Sequence, residues 1–188
     1  LRGAGEGAPL AKSSYHAGRH DDIAVVIQEM SARHPQWPLY IGAYSLGGTM
    51  AVNLVSRRHD LPAIKGVISF CAPLDMTESS HRFHQPRNKL YNRHFTKSLI
   101  KHELSRQRPS GISETRLKGL QTVRDYDEAI TCHIAGYGSA ADYYEGTSAI
   151  HYLAQIQIPT LLIHSDNDPL IPVDAYLKIK THSSLFCA

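Results

Sequence analysis

The fold of this chain is decided by residues 42–48, Gly-Ala-Tyr-Ser-Leu-Gly-Gly, which join a short apolar run to a stretch with helical spacing. The apolar run at 38–43 leads into this segment and is rich in strand-forming residues. The apolar residues from Thr49 to Arg57 recur at helical intervals. A serine on a tight turn between a strand and a helix is typical of a nucleophile elbow of the G-x-S-x-G type. We therefore predict a buried strand, a sharp turn that carries Ser45, and a helix.

This turn also predicts the chemistry of two residues. A serine hydroxyl becomes a useful nucleophile when a histidine takes its proton, and the turn needs small residues two positions before and after the serine. Ala43 and Gly47 stand at these positions, with alanine where glycine is usual. We predict Ser45 as the nucleophile and the backbone N–H of Leu46 as one donor to the oxyanion. The alternative is a serine that only forms a turn.

The rest of the chain alternates between strand and helix patterns. Apolar residues recur at helical spacing from Asp21 to Arg33, behind two aspartates that favour a helix N-terminus. Apolar runs at 64–72 and 159–165 are of the length expected for strands buried on both faces, and a helix is predicted at 173–180. This alternation predicts an α/β fold, with a parallel-stranded sheet and flanking helices.

The segment between the second and third strands is too long for a simple crossover, so we interpret it as a cap insertion over the strand ends. The sequence begins without an initiator Met in what looks like a loop and ends abruptly at 183–188, and we expect a chain truncated at both ends. The predicted organisation is a hydrolase core at 1–74 with the elbow at 43–47, a cap or lid at 75–149, and an incomplete core with the acid loop at 150–188.

Acidic residues follow the third strand, where loops at the carboxyl edge of a parallel sheet carry active sites. We predict an aspartate of this loop, Asp168 or Asp166, as the acid that orients the base; Asp166 can instead form the turn with Asn167, and the family resemblance described below favours Asp168. The base should follow the acid after one more strand, and His182 comes too soon for that role. We assign no base, and we expect it and the second oxyanion donor to lie outside this sequence.

The composition excludes several classes of protein. The chain has 188 residues, of which 42% are hydrophobic and 20% charged, and a formal net charge of +3, so we expect a single globular domain that does not bind nucleic acid. Cys71, Cys132 and Cys187 lie far apart without the spacing of a zinc site or a disulfide framework. The predicted chemistry requires no metal and no organic cofactor.

Several segments resemble one family, the α/β-hydrolase-domain esterases related to bacterial YheT, which include monoacylglycerol lipases, phospholipases and medium-chain ethyl ester synthase/esterases. The resemblance is carried by residues 1–5 (LRGAG), 44–48 (YSLGG) and 168–170 (DPL), and above all by 123–127 (VRDYD), 136–137 (GY) and 140–144 (AADYY). It implies an α/β-hydrolase fold with Ser45 as nucleophile and Asp168 as acid. The family's final His-Gly-Gly-His segment has no counterpart here.

The polar residues of these cap motifs have a structural interpretation. Arg124, Asp127 and Asp142 are suited to charged hydrogen bonds that hold the cap to the core, and we favour this role over substrate contact. Tyr143 and Tyr144 could line an acyl pocket or simply pack, and they stay unassigned.

A basic stretch from His81 to Arg108 lies in the predicted cap. It places Lys89, Arg93, Lys97 and Lys101 at four-residue steps on one helix face, with Leu90, Phe95 and Leu104 elsewhere on the helix. A solvated helix face is one interpretation, and peripheral contact with anionic lipid headgroups is the other. The sequence leaves the oligomeric state open, and we expect a cytoplasmic or membrane-associated protein.

Together these observations predict a serine carboxylesterase or acylglycerol lipase that acts on a small-molecule or lipid ester. An alcohol acyltransferase that uses the same acyl-enzyme is one alternative. A truncated, non-catalytic hydrolase fragment is the other, because no base is assigned. A dehydrogenase is disfavoured, since no strand precedes the glycines at 3–7 and no acidic ribose ligand follows them.

Overall fold

The computed structural model describes residues 2–106 and 111–179, together with the backbone of residues 186–187. Three predicted features lie outside these described residues: His182, residue 180 at the end of the predicted helix, and the end of the basic stretch. Within the described residues, four strands form one parallel sheet whose strand order follows the chain. They are β1 (Leu39–Tyr44), β2 (Ile64–Phe70), β3 (Thr160–Ile163) and β4 (Phe186–Cys187).

Two long helices precede and follow β1. The helix α1 (His20–Arg33) begins within one residue of its predicted start, and α2 begins at Ser45 and ends at Arg57. The start of α2 predicted at Thr49 is therefore four residues late. Both helices contribute buried side chains to one core with the strands, formed mainly by Ala24, Ile27, Ala51, Leu54, Val55, Ile64, Val67, Leu74, Leu153 and Leu162.

Burial of the strands on both faces, which the apolar runs predicted, is wrong for the residues described. Burial along β1 alternates strictly, with Tyr40 and Tyr44 exposed, and Ile68 of β2 and Ile163 of β3 are exposed as well. The physical reason is that the described helices bury one face of the sheet, whereas the other face carries only contacts such as the stacking of Tyr44 on Phe70.

The segment between β2 and β3 is helical, with one long helix among shorter ones. In chain order its elements are α3 (Met76–Phe83), the long helix α4 (Lys89–Ser105), α5 (Glu114–Lys118), α6 (Val123–Tyr126), a π-helical turn (Asp127–Thr131), α7 (Cys132–Ala135) and α8 (Ala140–Thr147). Short 3-10 helices lie at Gly5–Leu10, Pro86–Asn88 and Ala149–Gln155, and α9 (Asp174–Leu177) follows β3. The division of the chain into core and cap at 75–149 stays a prediction.

The helical segment is held to α2 by two side chains of α2 that donate to backbone carbonyls at the end of α8. Asn53 donates to the carbonyl of Thr147 at 2.8 Å, and Arg57 donates to the carbonyl of Gly146 at 3.0 Å. Arg57 also lies 3.7 Å from the ring centroid of Tyr152. These contacts fix the exit from α8 beside the helix that follows the elbow. Within the described part of the chain, no helix is both long enough and apolar enough to cross a bilayer.

Candidate active site

Ser45 lies at the joint between β1 and α2, where the sequence places the nucleophile. It is exposed, and its backbone φ of 51° is in the left-handed region. A non-glycine residue in this region is uncommon and costs on the order of 1–3 kcal/mol, so it persists only where the surrounding structure imposes it. Here β1 leads directly into α2 without a spacer residue, which turns the chain sharply and leaves the serine side chain at the carboxyl edge of the sheet.

Gly48, three residues after the serine, is closely packed against β2 and the residues that follow it. A Cβ built on Gly48 would lie 2.5 Å from the Oγ of Ser69 and 2.9 Å from the Cβ of Ala72, both on or just after β2. A Cβ built on Gly47 would meet no atom of another described element within 4 Å. The described residues therefore give a steric reason for glycine at position 48, whereas the sequence pattern pointed to position 47.

Leu46 connects the elbow to the helical segment. As the second residue of α2, its N–H belongs to the first helical turn, which has no acceptor within the helix and can bind an anion. Its side chain packs against a buried cluster of Ala17, Cys132, Ala140, Tyr143 and Tyr144. The predicted oxyanion donor is thus held next to the aromatic residues that the sequence analysis left unassigned.

Asp168 is positioned by backbone donors in the loop after β3. Its Oδ1 accepts hydrogen bonds from the N–H of Leu170 at 2.8 Å and from the N–H of Ile171 at 3.0 Å. The second oxygen remains available to orient a base. Asp166 is exposed and lies in a turn with Asn167, as its alternative role required. Of the two aspartates, only Asp168 is half-buried. The roles of Ser45, Leu46 and Asp168 stay predictions.

Two residues that the sequence analysis did not assign lie beside Asp168. Ligand atoms of Cys71, His164 and Asp168 all lie within 4.8 Å of one another. Cys71 follows β2 with a φ of 45°, and His164 follows β3, so both stand at the carboxyl edge of the sheet. The signal in the sequence that could have identified Cys71 and His164 as site residues is their position at the ends of two apolar runs. This is the group of described residues that could hold a metal ion, by thiolate, imidazole and carboxylate.

The imidazole of His164 is held firmly. It stacks on Tyr176 with a centroid distance of 4.3 Å, and its Nε2 lies 3.2 Å from the carbonyl oxygen of Ile171. Nε2 therefore carries the proton in the neutral ring, which leaves the lone pair on Nδ1. Nδ1 is buried and has no hydrogen-bond partner among the described residues. Tyr176 in turn donates to the carbonyl of Ala72 at 2.7 Å.

Asp127 and the cap tyrosines form a buried polar network. Tyr144 donates to Oδ2 of Asp127 at 2.7 Å, and the hydroxyl of Tyr143 accepts from the N–H of Ala17 at 3.1 Å. Burial raises the pKa of the Asp127 carboxyl to about 6. Burial also raises the pKa of both tyrosines, so their hydroxyls stay protonated. Packing and hydrogen bonding within this network are therefore sufficient to explain the presence of Asp127, Tyr143 and Tyr144.

The other two polar residues of the cap motifs are differently placed. Asp142 accepts from the hydroxyl of Ser139 at 2.7 Å, and its own N–H donates to that hydroxyl at 3.1 Å. This pair caps the N-terminus of α8, which is a structural role within the helical segment; the predicted bond from Asp142 to the core is not seen among the described residues. Arg124 is exposed on α6.

Comparison with known proteins identifies the family. The model of the serine aminopeptidase S33 family (Hydrolase_4) matches residues 2–183. The chain belongs to this α/β-hydrolase family. The resemblance stated from the sequence motifs and the predicted fold class are thereby confirmed.

Relatives of this S33 hydrolase include esterases and lipases. It is 31% identical over 163 residues to YheT of Escherichia coli, covering 84% of this chain and 47% of that protein. It is 26% identical over 173 residues to a monoacylglycerol lipase of Saccharomyces cerevisiae, covering 85% of this chain and 38% of the lipase. The chain thus spans less than half the length of these relatives.

Two further proteins are similar to this chain. Identity to the medium-chain fatty acid ethyl ester synthase/esterase 2 of Saccharomyces cerevisiae is 25% over 213 residues, covering 99% of this chain and 47% of that enzyme. Among solved structures, the monoacylglycerol lipase of Paleococcus ferrophilus is similar with a TM-score of 0.47 and 20% identity, covering 89% of this chain and 63% of that one.

Proposed function

We propose that the protein hydrolyses carboxylic esters of lipid-like substrates through an acyl-enzyme on Ser45. The observation that carries the proposal is the left-handed backbone of an exposed serine between a parallel strand and a helix. Esterases and lipases among the S33 relatives agree with this reaction class. The proposal covers the whole protein to which this chain belongs.

In the first step the Oγ of Ser45 attacks the ester carbonyl carbon, while a histidine base accepts the hydroxyl proton. The carbonyl oxygen becomes an oxyanion, to which the N–H of Leu46 donates. The intermediate then expels the alcohol, which takes the proton from the histidine, and the acyl group stays on Ser45. Asp168 acts by orienting the histidine through the carboxylate oxygen that its backbone donors leave available.

In the second step water replaces the alcohol. The histidine takes a proton from water, the resulting oxygen attacks the acyl carbon, and Ser45 leaves with the proton returned to it. The fatty acid is released and the serine is regenerated. Because all the protons cycle through side chains, the reaction consumes only ester and water.

Lipid-like substrates are favoured by the apolar surroundings of the elbow. The partly buried side chains of Leu46 and Met76 both pack against the buried cluster that includes Tyr143 and Tyr144, so the surface directly beside the serine is apolar at Leu46. An acyl chain that lies against such a surface gains about 0.8 kcal/mol for each buried methylene. The relatives named as a monoacylglycerol lipase and an ethyl ester esterase act on such chains.

The test is fluorophosphonate labelling of the purified whole protein to which this chain belongs, followed by mass spectrometry of the labelled peptide. We expect the label on Ser45, its loss in Ser45→Ala, and its retention in the matched variant Ser31→Ala on α1. Hydrolysis of p-nitrophenyl esters from acetate to palmitate should then rise with acyl length before solubility limits it. A folded protein that neither takes label on Ser45 nor cleaves these esters would favour the non-catalytic alternative.

Acyl transfer to an alcohol is the second candidate, because one relative is named as an ethyl ester synthase as well as an esterase. It uses the same acyl-enzyme, with an alcohol in place of water in the second step. Ethanol added during turnover separates the two: ethyl ester formed in proportion to ethanol indicates a transferase, whereas free fatty acid alone indicates a hydrolase.

A further inference from the structure

The first half of α4 exposes apolar side chains and buries polar ones. Leu90, Tyr91 and Phe95 are 80%, 48% and 45% exposed, while Asn92 and Thr96 on the opposite side are buried. A helix on the surface of a globular protein normally shows the reverse arrangement. The second half of the helix follows the ordinary pattern, with Leu99, Ile100 and Leu104 packed against a buried cluster.

The inverted orientation is fixed by hydrogen bonds of the buried side. Oδ1 of Asn92 accepts from the N–H of Val123 at 3.0 Å, at the first turn of α6, and Nδ2 donates to the carbonyl of Phe83 at 3.2 Å. Thr96 donates to the backbone carbonyl of Asn92 at 2.8 Å. Rotating α4 to bury its apolar side would break the bonds of Asn92 to Val123 and Phe83 and leave buried polar groups unpaired, which is costly.

Basic residues border the exposed apolar ones. Between Ser79 and Arg106 the only acidic residue is Glu103, and it is buried, so no acidic side chain of this segment is exposed beside the cations. Residues three and four apart are neighbours on a helix surface, which places the lysines and arginine in a row beside Leu90. We define the α4 patch as the exposed residues Arg87, Lys89, Leu90, Tyr91, Arg93, Phe95 and Lys97.

We propose that the α4 patch binds the surface of an anionic lipid bilayer. Apolar and aromatic side chains on such a helix enter the boundary between headgroups and acyl chains, and the cations contact the negatively charged headgroups. A protein partner whose surface is purely acidic would match the charge but would offer no apolar contact to Leu90, which is 80% exposed. Apolar and cationic residues side by side therefore favour lipid.

The location of the patch relates it to the candidate active site. Asn88, buried directly before α4, donates to the carbonyl of Pro169 at 2.7 Å, and Pro169 follows the predicted acid Asp168. A bilayer that contacts Lys89 and Leu90 thus lies beside the acid loop. The inference deepens the proposed function by naming the surface on which a lipid ester is met, although the binding step itself needs no catalysis.

The test measures binding to vesicles with the Ser45→Ala protein, so that lipid is not consumed and the result is independent of catalysis. Vesicles of phosphatidylcholine, with or without phosphatidylserine, are sedimented with the protein at low and high salt. We expect binding to the vesicles that contain phosphatidylserine, and weaker binding at high salt because the ions screen the headgroups.

Two variants divide the contributions. Leu90→Ser/Tyr91→Ser removes apolar contact, and Arg93→Glu/Lys97→Glu reverses two charges. Each should lower the partition coefficient on anionic vesicles by at least about tenfold, since one cation near such a surface contributes on the order of a fivefold change. Far-UV circular dichroism checks that both variants fold.

Matched controls carry the same changes elsewhere. Val25→Ser/Val26→Ser alters two exposed apolar residues of α1, and Lys65→Glu/Lys178→Glu reverses two exposed charges. Both should bind as the parent does. Equal binding by patch and control variants would overturn the proposal. Self-association without vesicles, lost in the patch variants, would overturn it in favour of a second copy of the chain.

Discussion

Gly48 offers a sharp test of how the elbow is built. Substitution by alanine adds a methyl group 2.5 Å from the Oγ of Ser69 and 2.9 Å from the Cβ of Ala72, well inside ordinary contact distance. Overpacking of this kind costs about 1–3 kcal/mol, and the helix propensity of alanine returns about 0.5–1 kcal/mol. We expect Gly48→Ala to lower the free energy of unfolding by about 1–2 kcal/mol.

The neighbouring glycine supplies the control. Gly47→Ala meets no described atom of another element within 4 Å, so it should leave stability unchanged or raise it slightly. Urea unfolding followed by circular dichroism measures both variants. Removing the Ser69 hydroxyl in Gly48→Ala/Ser69→Ala should recover part of the loss. If Gly48→Ala is as stable as Gly47→Ala, the close approach of α2 to β2 does not restrict this position.

Three further predictions concern the network, the cap and the acid loop. The Asp127 pKa is raised from 3.8 to about 6, so its contribution to stability is full below about pH 4 and is lost as the pH rises through 6. Asp127→Asn should remove this fall of about 2–3 kcal/mol from unfolding measured across that range. Tyr143→Phe leaves the buried N–H of Ala17 unpaired and should cost about 1–3 kcal/mol in urea unfolding, whereas Tyr40→Phe at an exposed site should cost nothing measurable. Excess Zn²⁺ should inhibit ester hydrolysis, and EDTA should reverse the inhibition. The Cys71→Ser variant should need more Zn²⁺ for the same inhibition. Equal sensitivity of the two proteins to Zn²⁺ would contradict a thiolate ligand.

The elements predicted from the sequence are those with local signals. α1 has apolar residues at helical spacing behind two aspartates, and the structure starts it within one residue of the prediction. The start of α2 was predicted late because Gly47 and Gly48 disfavour a helix in isolation. Packing against β2 overrides that preference, since glycine lets the two elements approach.

Residues whose partners are distant in sequence could not be predicted. Asn88 bonds to Pro169 across 81 positions, and the guanidinium of Arg106 donates to the carbonyl of Ala11 across 95. His164 acquires its neighbours Cys71 and Asp168 only when the sheet brings the ends of β2 and β3 together. No periodicity or motif records such contacts, because they depend on the register of strands that are far apart in the chain.

The agreement between strand order in the sheet and strand order in the chain has a consequence for biosynthesis. β1, α2 and β2 leave the ribosome in succession, and β1 pairs directly with β2, so the turn with the serine can form as a local unit. β3 pairs with β2 only after the long helical segment has been made, and closing such a loop is slow and entropically unfavourable. We therefore expect the nascent chain to build the nucleophile turn well before it gains the acid loop.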